Sequence, residues 1–350
     1  EGIFRYTTST MFTVYSIHDG KLEKMSKLPP QSAAGLRNVW VNVVAPTPED
    51  VEKLVPLIQI PDEVITDVRD VNEVPKLDKI GEALYILVQT PLATSGSTTV
   101  EAVVAEYTVT PLAMLMTERC FVTVSGGKND VIDYLEKKLK NIANNRLVDT
   151  NEQPQFVAKL MLFTAKIYLR YLKEIYNRLQ IPLSEHGYPK VDKEIVDLLK
   201  IEQSLVYFDA SLRSNYIVME KTARRPSFRN PLDQELIDDA IDEMRQALEM
   251  AKVYGHIVED IRHALSSLIS NNLAHTVNWL TKVTVILMLP TLVGTLYGMN
   301  VPLPFAHSRF AFLIVIGISL LVASVGIWWV RRVESSRLSA RITSRSAGRK

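Results

Sequence analysis

Two uncharged apolar runs near the C-terminal end dominate the hydropathy pattern. Phe310 to Val330 carries no charge and, at ~20 residues per crossing, is long enough to span a bilayer. Trp328 and Trp329 close it and Arg331 and Arg332 follow, the order of an interfacial belt and a cytoplasmic anchor. Val283 to Met299 is shorter, but Trp279 can sit at the interface and Lys282 can snorkel, which lengthens the usable span. Only Val301 to Arg309 separates the two, so the pattern predicts a membrane hairpin with both ends on one side. The tail holds Arg331, Arg332, Arg337, Arg341, Arg345, Arg349 and Lys350 against Glu334. That bias predicts N- and C-termini in the cytoplasm and a multi-pass protein of the cell (inner) membrane.

Upstream of these runs the pattern is globular. Met11 to Met25, Asn38 to Val44, Ala83 to Thr90, Val100 to Thr108 and Cys120 to Val124 have strand composition. Pro48 to Ile58 predicts a helix with Thr47 as N-cap, and Asn129 to Asn144 an amphipathic one. Pro154 to Ile181 and Val191 to Thr222 are long periodic segments split by Ser184-Glu185-His186-Gly187-Tyr188-Pro189, which predicts an antiparallel helical hairpin. From Leu232 to Asn300 runs one long helix. Leu236, Ala240, Met244, Ala247, Ala251, Tyr254, Val258, Ile261, Leu265 and Leu268 form a heptad seam along it, as in helices packed along their length.

The seam leads into a second stripe inside the membrane run: Thr281, Thr284, Met288, Thr291 and Thr295, with Gly298 continuing the row. Polar groups on a lipid-embedded helix must face protein or water. Threonine hydroxyls can also satisfy themselves on the i−4 carbonyl without any function. One stripe cannot enclose a pore, so a functional stripe requires a symmetric oligomer with this helix innermost.

Composition adds limits. With 350 residues, 47% hydrophobic, and a net charge of +1, most of the chain lies outside the bilayer and no nucleic-acid partner is expected. Cys120 is the single cysteine, which fits a reducing compartment and a buried strand position. No signal peptide is expected in the first residues. No nucleophile–base pair or phosphate-cradling glycine loop stands at a usable spacing, so an enzyme is not expected. The resulting fold class is an α/β cytoplasmic domain, a long all-α stalk and two C-terminal transmembrane helices. The segments run 1–149 (α/β domain), 150–229 (helical hairpin), 230–280 (stalk), 281–300 (first membrane helix), 301–309 (outer loop), 310–330 (second membrane helix) and 331–350 (basic tail).

Tyr297-Gly298-Met299-Asn300 ends the first of the two closely spaced helices, and Pro290-Thr291-Leu292 stands ahead of it. Asp67 is followed by Val74-Pro75-Lys76-Leu77. Together with the layout, these segments resemble the CorA family of magnesium channels along essentially the whole chain. The resemblance implies a homopentameric funnel for passive uptake of hydrated Mg²⁺, with Co²⁺ and Ni²⁺ as further cargo. Gly298, Met299 and Asn300 would form the selectivity site at the outer mouth. Thr295, Thr291, Met288, Thr284, Thr281, Leu280 and Val277 would line the pore, with Met288 and Leu280 as narrow apolar rings. It further implies intracellular Mg²⁺ bound between neighbouring cytoplasmic domains: Asp67 matches one ligand by its local segment. An ungapped count back from Asn300 puts Asp239 at the other, beside Asp238, Asp242 and Glu243.

Three positions depart from the family pattern. Ala274, next to His275, stands where many members carry an asparagine ring. The loop Val301 to Arg309 has no carboxylate, and Val74 replaces an arginine before Pro75. Extended inward, the stripe reaches Ser270, Ser267, His263 and His256. Two alternatives stay open: a Zn²⁺ or other divalent transporter of the same superfamily, and a membrane-tethered cytoplasmic sensor or scaffold. Met299 favours magnesium over zinc.

Overall fold

The computed structural model describes residues 12–18, 21–24, 39–48, 60–94, 106–118, 120–141, 153–180, 191–299, 304 and 310–347. The chain divides into two compact units, Glu1–Ile261 and Arg262–Lys350.

Among the described residues, the first unit is built on seven strands: β1 (Phe12–His18), β2 (Lys21–Lys24), β3 (Val39–Val44), β4 (Lys76–Ile80), β5 (Ala83–Ala93), β6 (Tyr107–Met116) and β7 (Phe121–Ser125). Their order is β2-β1-β3-β7-β6-β5-β4. Only β3 and β7 pair in parallel; every other ladder is antiparallel. Side chains alternate between the faces, so consecutive residues enter different cores. Ile86, Val88, Leu112 and Met114 face one large core with Trp40 and Phe121. Tyr85, Leu87, Ala113 and Leu115 face a smaller one with Val41, Val43 and Val124. Both faces are covered, which is why the strands read as near-continuous apolar runs.

Helix α1 (Asp62–Arg69) caps the smaller core through Val64, Ile65 and Val68. Gly126 makes that approach possible. A Cβ there would lie 2.1 Å from the Val68 carbonyl oxygen, far inside van der Waals contact. The opposite face carries α2 (Asp130–Asn141), α3 (Gln153–Leu179) and α4 (Val191–Ala223), with the short 3₁₀ turn Pro226–Phe228. Asn129 caps α2: its Oδ1 accepts from the Val131 and Ile132 N–H groups and its Nδ2 donates to the Thr90 hydroxyl. Asn215 of α4 replaces a strand at the edge of β5. Its Oδ1 accepts from the Gln89 N–H at 2.9 Å and its Nδ2 donates to the Gln89 carbonyl at 2.6 Å. Since both Gln89 backbone groups point away from β6, the opposite residue, Pro111, has no ladder bond to supply on that side.

Several expectations change. Met11 to Met25 resolves into two strands whose register pairs His18 with Lys21. Helix α1 and strand β4 were not predicted: α1 is 8 residues long, too short for a periodic signal, and β4 is largely polar. The strand predicted over Val100–Thr108 falls mainly outside the described residues. The described strand, Tyr107–Met116, extends past Pro111, the residue that reads as a breaker. The helix predicted over Pro48–Ile58 lies outside the described residues apart from Pro48. Cys120 is buried as expected, immediately before β7.

The long helix α5 spans Pro231–Tyr297, and the division between the units falls within it. In the first unit the seam does not wait for another copy. Ala240, Met244, Ala247, Ala251 and Val258 are buried in the large core, and Tyr254 stacks on Tyr176 of α3 at 5.1 Å. In the second unit, α5 is accompanied by α6 (Ala311–Ala347). Among the described residues, α5 and Phe312–Arg332 are long and apolar enough to cross a membrane, and almost none of either apolar window is buried in the chain. The Arg332 guanidinium lies 5.0 Å from the Trp328 ring centre.

Candidate ion pathway and a carboxylate cluster

The polar stripe occupies a single face of α5. Val277, Leu280, Thr281, Thr284, Met288, Thr291 and Thr295 are all exposed in the single chain. At 100° per residue they fall within a sector of about 100°. Val283, Ile286, Leu289, Pro290, Val293 and Tyr297 are half-buried and lie on the opposite side of the helix by the same count. That opposite side is the one that meets α6: a Cβ added to Gly326 would come 2.5 Å from Leu289 Cδ1. The threonine–methionine face is therefore turned away from α6.

Each threonine of the stripe donates its hydroxyl hydrogen to its own helix. Thr281 donates to the Val277 carbonyl at 2.8 Å, Thr284 to Leu280 at 2.8 Å, Thr291 to Leu287 at 2.9 Å, and Thr295 to Thr291. This back-bonding satisfies the hydroxyls, as the functionless alternative requires. It also fixes their remaining chemistry. With the proton committed, each hydroxyl presents only acceptor lone pairs outward. Water bound to a cation points its hydrogens away from the ion, so a row of acceptors is the lining that a hydrated cation can use.

At the end of α5 the Gly298 N–H reaches the Gly294 carbonyl at 3.0 Å and the Thr295 carbonyl at 3.2 Å. The Met299 N–H reaches Leu296 at 3.3 Å, so the last turn tightens towards i−3 bonding. A Cβ on Gly298 would sit 3.4 Å from the Thr295 oxygen, a borderline-ordinary contact. Nothing among the described residues of one chain demands glycine there. The Tyr297 hydroxyl lies 3.4 Å from the Pro304 carbonyl. Asn300 lies outside the described residues.

The second predicted site is in the first unit. Asp67, on α1, is 7% exposed. Its Oδ2 accepts the Tyr85 hydroxyl at 2.8 Å and the Lys76 ammonium at 2.8 Å. Lys76 also lies 3.3 Å from Glu73 and 3.7 Å from Glu63. Burial lowers the Lys76 pKa, but hydrogen bonds and charges from Asp67 and then Glu73 outweigh it and the net shift is upward. Tyr85 is pushed up by burial first and by Asp67 second, so it remains a donor. The loop carrying Glu73 is pinned by Gln89, whose Nε2 donates to the Val71 and Glu73 carbonyls. Asp239 is exposed on α5, and the partners of Asp67 are Tyr85 and Lys76 rather than Asp239. Among the described residues no three His, Cys, Asp or Glu side chains are arranged to hold a metal ion. Sequence reasoning missed the roles of Glu63, Glu73 and Tyr85. Glu63 and Asp67 are four apart on α1, so recognising that helix would have placed both carboxylates on one face.

A family profile described as CorA-like Mg²⁺ transporter protein matches residues 36–332. The chain belongs to the CorA family. A CorA cobalt/magnesium transport protein of Methanocaldococcus jannaschii is 24% identical over 326 residues, which cover 92% of this chain and 99% of the relative. The complete CorA magnesium transporter structure from that organism matches with a TM-score of 0.71 at 19% identity, covering 93% of this chain and 99% of the other. Its soluble domain, solved separately, matches with a TM-score of 0.59 at 17% identity, covering 73% and 97%. The CorA fold thus accounts for the sheet domain, the long helix and the two apolar C-terminal helices. The family is one of membrane transporters for divalent cations, so this CorA chain is a membrane protein of that class.

Proposed function

We propose that this chain is one subunit of a homopentameric channel for Mg²⁺ with α5 innermost, and with Co²⁺ as the second cargo named for its relative. The observation that carries the reading is the orientation of α5: its acceptor-bearing face is turned away from α6. A lipid-facing position for that face would leave Thr281, Thr284, Thr291 and Thr295 against hydrocarbon, whereas a central channel gives it water. Five such faces would surround a hydrated ion with hydroxyl acceptors, and Met288, Leu280 and Val277 would form apolar constrictions that gate by dewetting. Mg²⁺ gives up water reluctantly, so a lining that accepts hydrogen bonds from the hydration shell suits it better than one that strips the ion.

Gly298-Met299-Asn300 is the proposed outer mouth. A Cβ at Gly298 would meet its own helix only at ordinary contact distance, which supports a reading in which neighbouring copies need the close approach. The loop beyond holds no carboxylate, which leaves recognition to the Asn300 amide and the adjacent carbonyls. Transport is downhill: a divalent ion entering a negative interior gains about 4.6 kcal/mol per 100 mV, twice the single-charge value. Asp67 and Asp239, from adjacent subunits, are the proposed regulatory pair, whose mutual repulsion an intracellular Mg²⁺ ion relieves in the closed state. Both termini then lie in the cytoplasm.

The test is Mg²⁺ uptake into proteoliposomes carrying the full chain under an imposed interior-negative potential. Uptake should be saturable and rise with the potential, and Asn300→Ala should reduce it at least tenfold. Unchanged flux in Asn300→Ala would remove the assignment of the mouth. No flux in the parent chain would favour a tethered sensor.

A further inference from the structure

The regulatory reading asks Asp67 to hold a divalent cation, yet its carboxylate already holds a positive charge from its own chain. Three carboxylates converge on the Lys76 ammonium: Asp67 at 2.8 Å, Glu73 at 3.3 Å and Glu63 at 3.7 Å. Anionic carboxylate oxygens are the donor type that Mg²⁺ prefers. Asp67 would offer one such oxygen and, since the described residues of this chain alone group no three ligands for a metal, the rest of the site would come from another subunit and from water.

We propose that Lys76 is a tethered competitor for the Asp67 carboxylate and sets the Mg²⁺ concentration at which the regulatory site fills. This rests on the regulatory reading above. A lysine ammonium is a compact charge on a flexible four-carbon stem, and here it has somewhere to go. Glu73 and Glu63 lie toward solvent, with side chains 29% and 58% exposed against 9% for Asp67. The ammonium can shift from Asp67 to Glu73 and stay paired, while the incoming ion takes the vacated oxygen. The Tyr85 hydroxyl bonds the same carboxylate at 2.8 Å and holds it in place through the exchange. Glu73 is itself fixed by the Gln89 bonds to the 71–73 backbone. The exchange is thus between two seats of one short tether, and the buried Asp67 carboxylate has a cation beside it with or without the metal. Asp67 left buried without one would be far more costly.

The experiment is protease protection of the full-length protein in lipid nanodiscs, titrated with MgCl₂, with no transport measurement involved. Lys76→Met should lower the midpoint at least about tenfold, the scale of one charge-assisted hydrogen bond. Lys76→Arg keeps the charge and should stay within about threefold of wild type by the same scale. Glu73→Gln removes the alternative seat without touching Asp67 and should raise the midpoint, so the idea stays testable if Lys76→Met fails to fold without metal. A midpoint unmoved by Lys76→Met and by Glu73→Gln overturns the proposal while leaving Mg²⁺ regulation intact. A titration that Asp67→Ala leaves unchanged also overturns it, because the ion then binds elsewhere. Protection that does not depend on Mg²⁺ in the wild-type protein overturns the regulatory reading and this inference with it.

Discussion

At the scale of single residues, the tightest constraint is steric rather than chemical. Helix α1 carries Asp67, and its docking against the sheet depends on the absent side chain of Gly126. The 2.1 Å gap between a would-be Cβ and the Val68 carbonyl oxygen involves backbone on both sides, so no rotamer change can relieve it. Gly126→Ala must push α1 outward, which loosens Val64, Ile65 and Val68 from their core and shifts Asp67 from Tyr85 and Lys76. Overpacking of this kind costs about 2 kcal/mol or more, and the expected drop in melting temperature is on the order of 5 °C. Thermal melting by circular dichroism checks it, with Gly81→Ala as a contrast. Gly81 has open space but a φ of +61°, so its cost is conformational and on the order of 1 kcal/mol. If Gly126→Ala melts like wild type, the α1 packing described above is wrong.

At the scale of elements, the membrane helices were legible in the sequence and the sheet only in part. An uncharged run such as Phe310–Val330 has few other homes, and a 3.5-residue stripe of threonines survives on any straight helix. Polar β4 and eight-residue α1 carry no such signal, because they are defined by neighbours: β4 by its pairing with β5, α1 by the gap at Gly126. The same dependence explains why the Asp67 cluster was half seen. Asp67 and Lys76 stood in a recognisable segment, whereas Tyr85 joins them only through the β4–β5 ladder. The seam of α5 was read correctly as a packing surface but assigned to other helices in general. Its first half is closed by α3 of the same chain, through Tyr176 and Tyr254. The contact of α5 with α6 yields a graded prediction. The far end of Leu289 is what meets Gly326, and a leucine methyl can rotate away. Gly326→Ala should therefore be tolerated, while Gly326→Leu should separate the helices. Cysteine cross-linking between positions on α5 and α6 near this contact, in the Cys120→Ser background, checks it: undiminished cross-linking in Gly326→Leu would show that the helices do not meet there.

At the scale of the whole molecule, the distribution of tryptophans reports where water, lipid and protein lie. The chain has four. Trp40 is fully buried, stacked on Tyr15 at 4.8 Å, with its indole N–H donated to Thr123. Trp279, Trp328 and Trp329 are 65%, 56% and 60% exposed in the single chain. Exposure of three large aromatic rings has no justification in water, where each forgoes roughly 2 kcal/mol or more of burial. It is expected at a bilayer interface, where the ring is apolar and the N–H is wet. Tryptophans at the ends of both apolar runs thus mark the level of the headgroups. Phospholipids brominated high on the acyl chain should quench the three interfacial residues strongly, and a Trp40-only variant should be insensitive. Iodide in the aqueous phase should leave Trp40 equally untouched. Quenching confined to Trp328 and Trp329 would mean that Trp279 lies in the aqueous stalk and that the first span begins later. Strong quenching of all three by bromines high on the acyl chain, falling off for bromines placed deeper, fits the hairpin geometry in which Lys282 reaches back to the same interface. The depth profile therefore decides where on α5 the membrane begins, and with it which members of the stripe from Val277 to Thr295 lie within the bilayer.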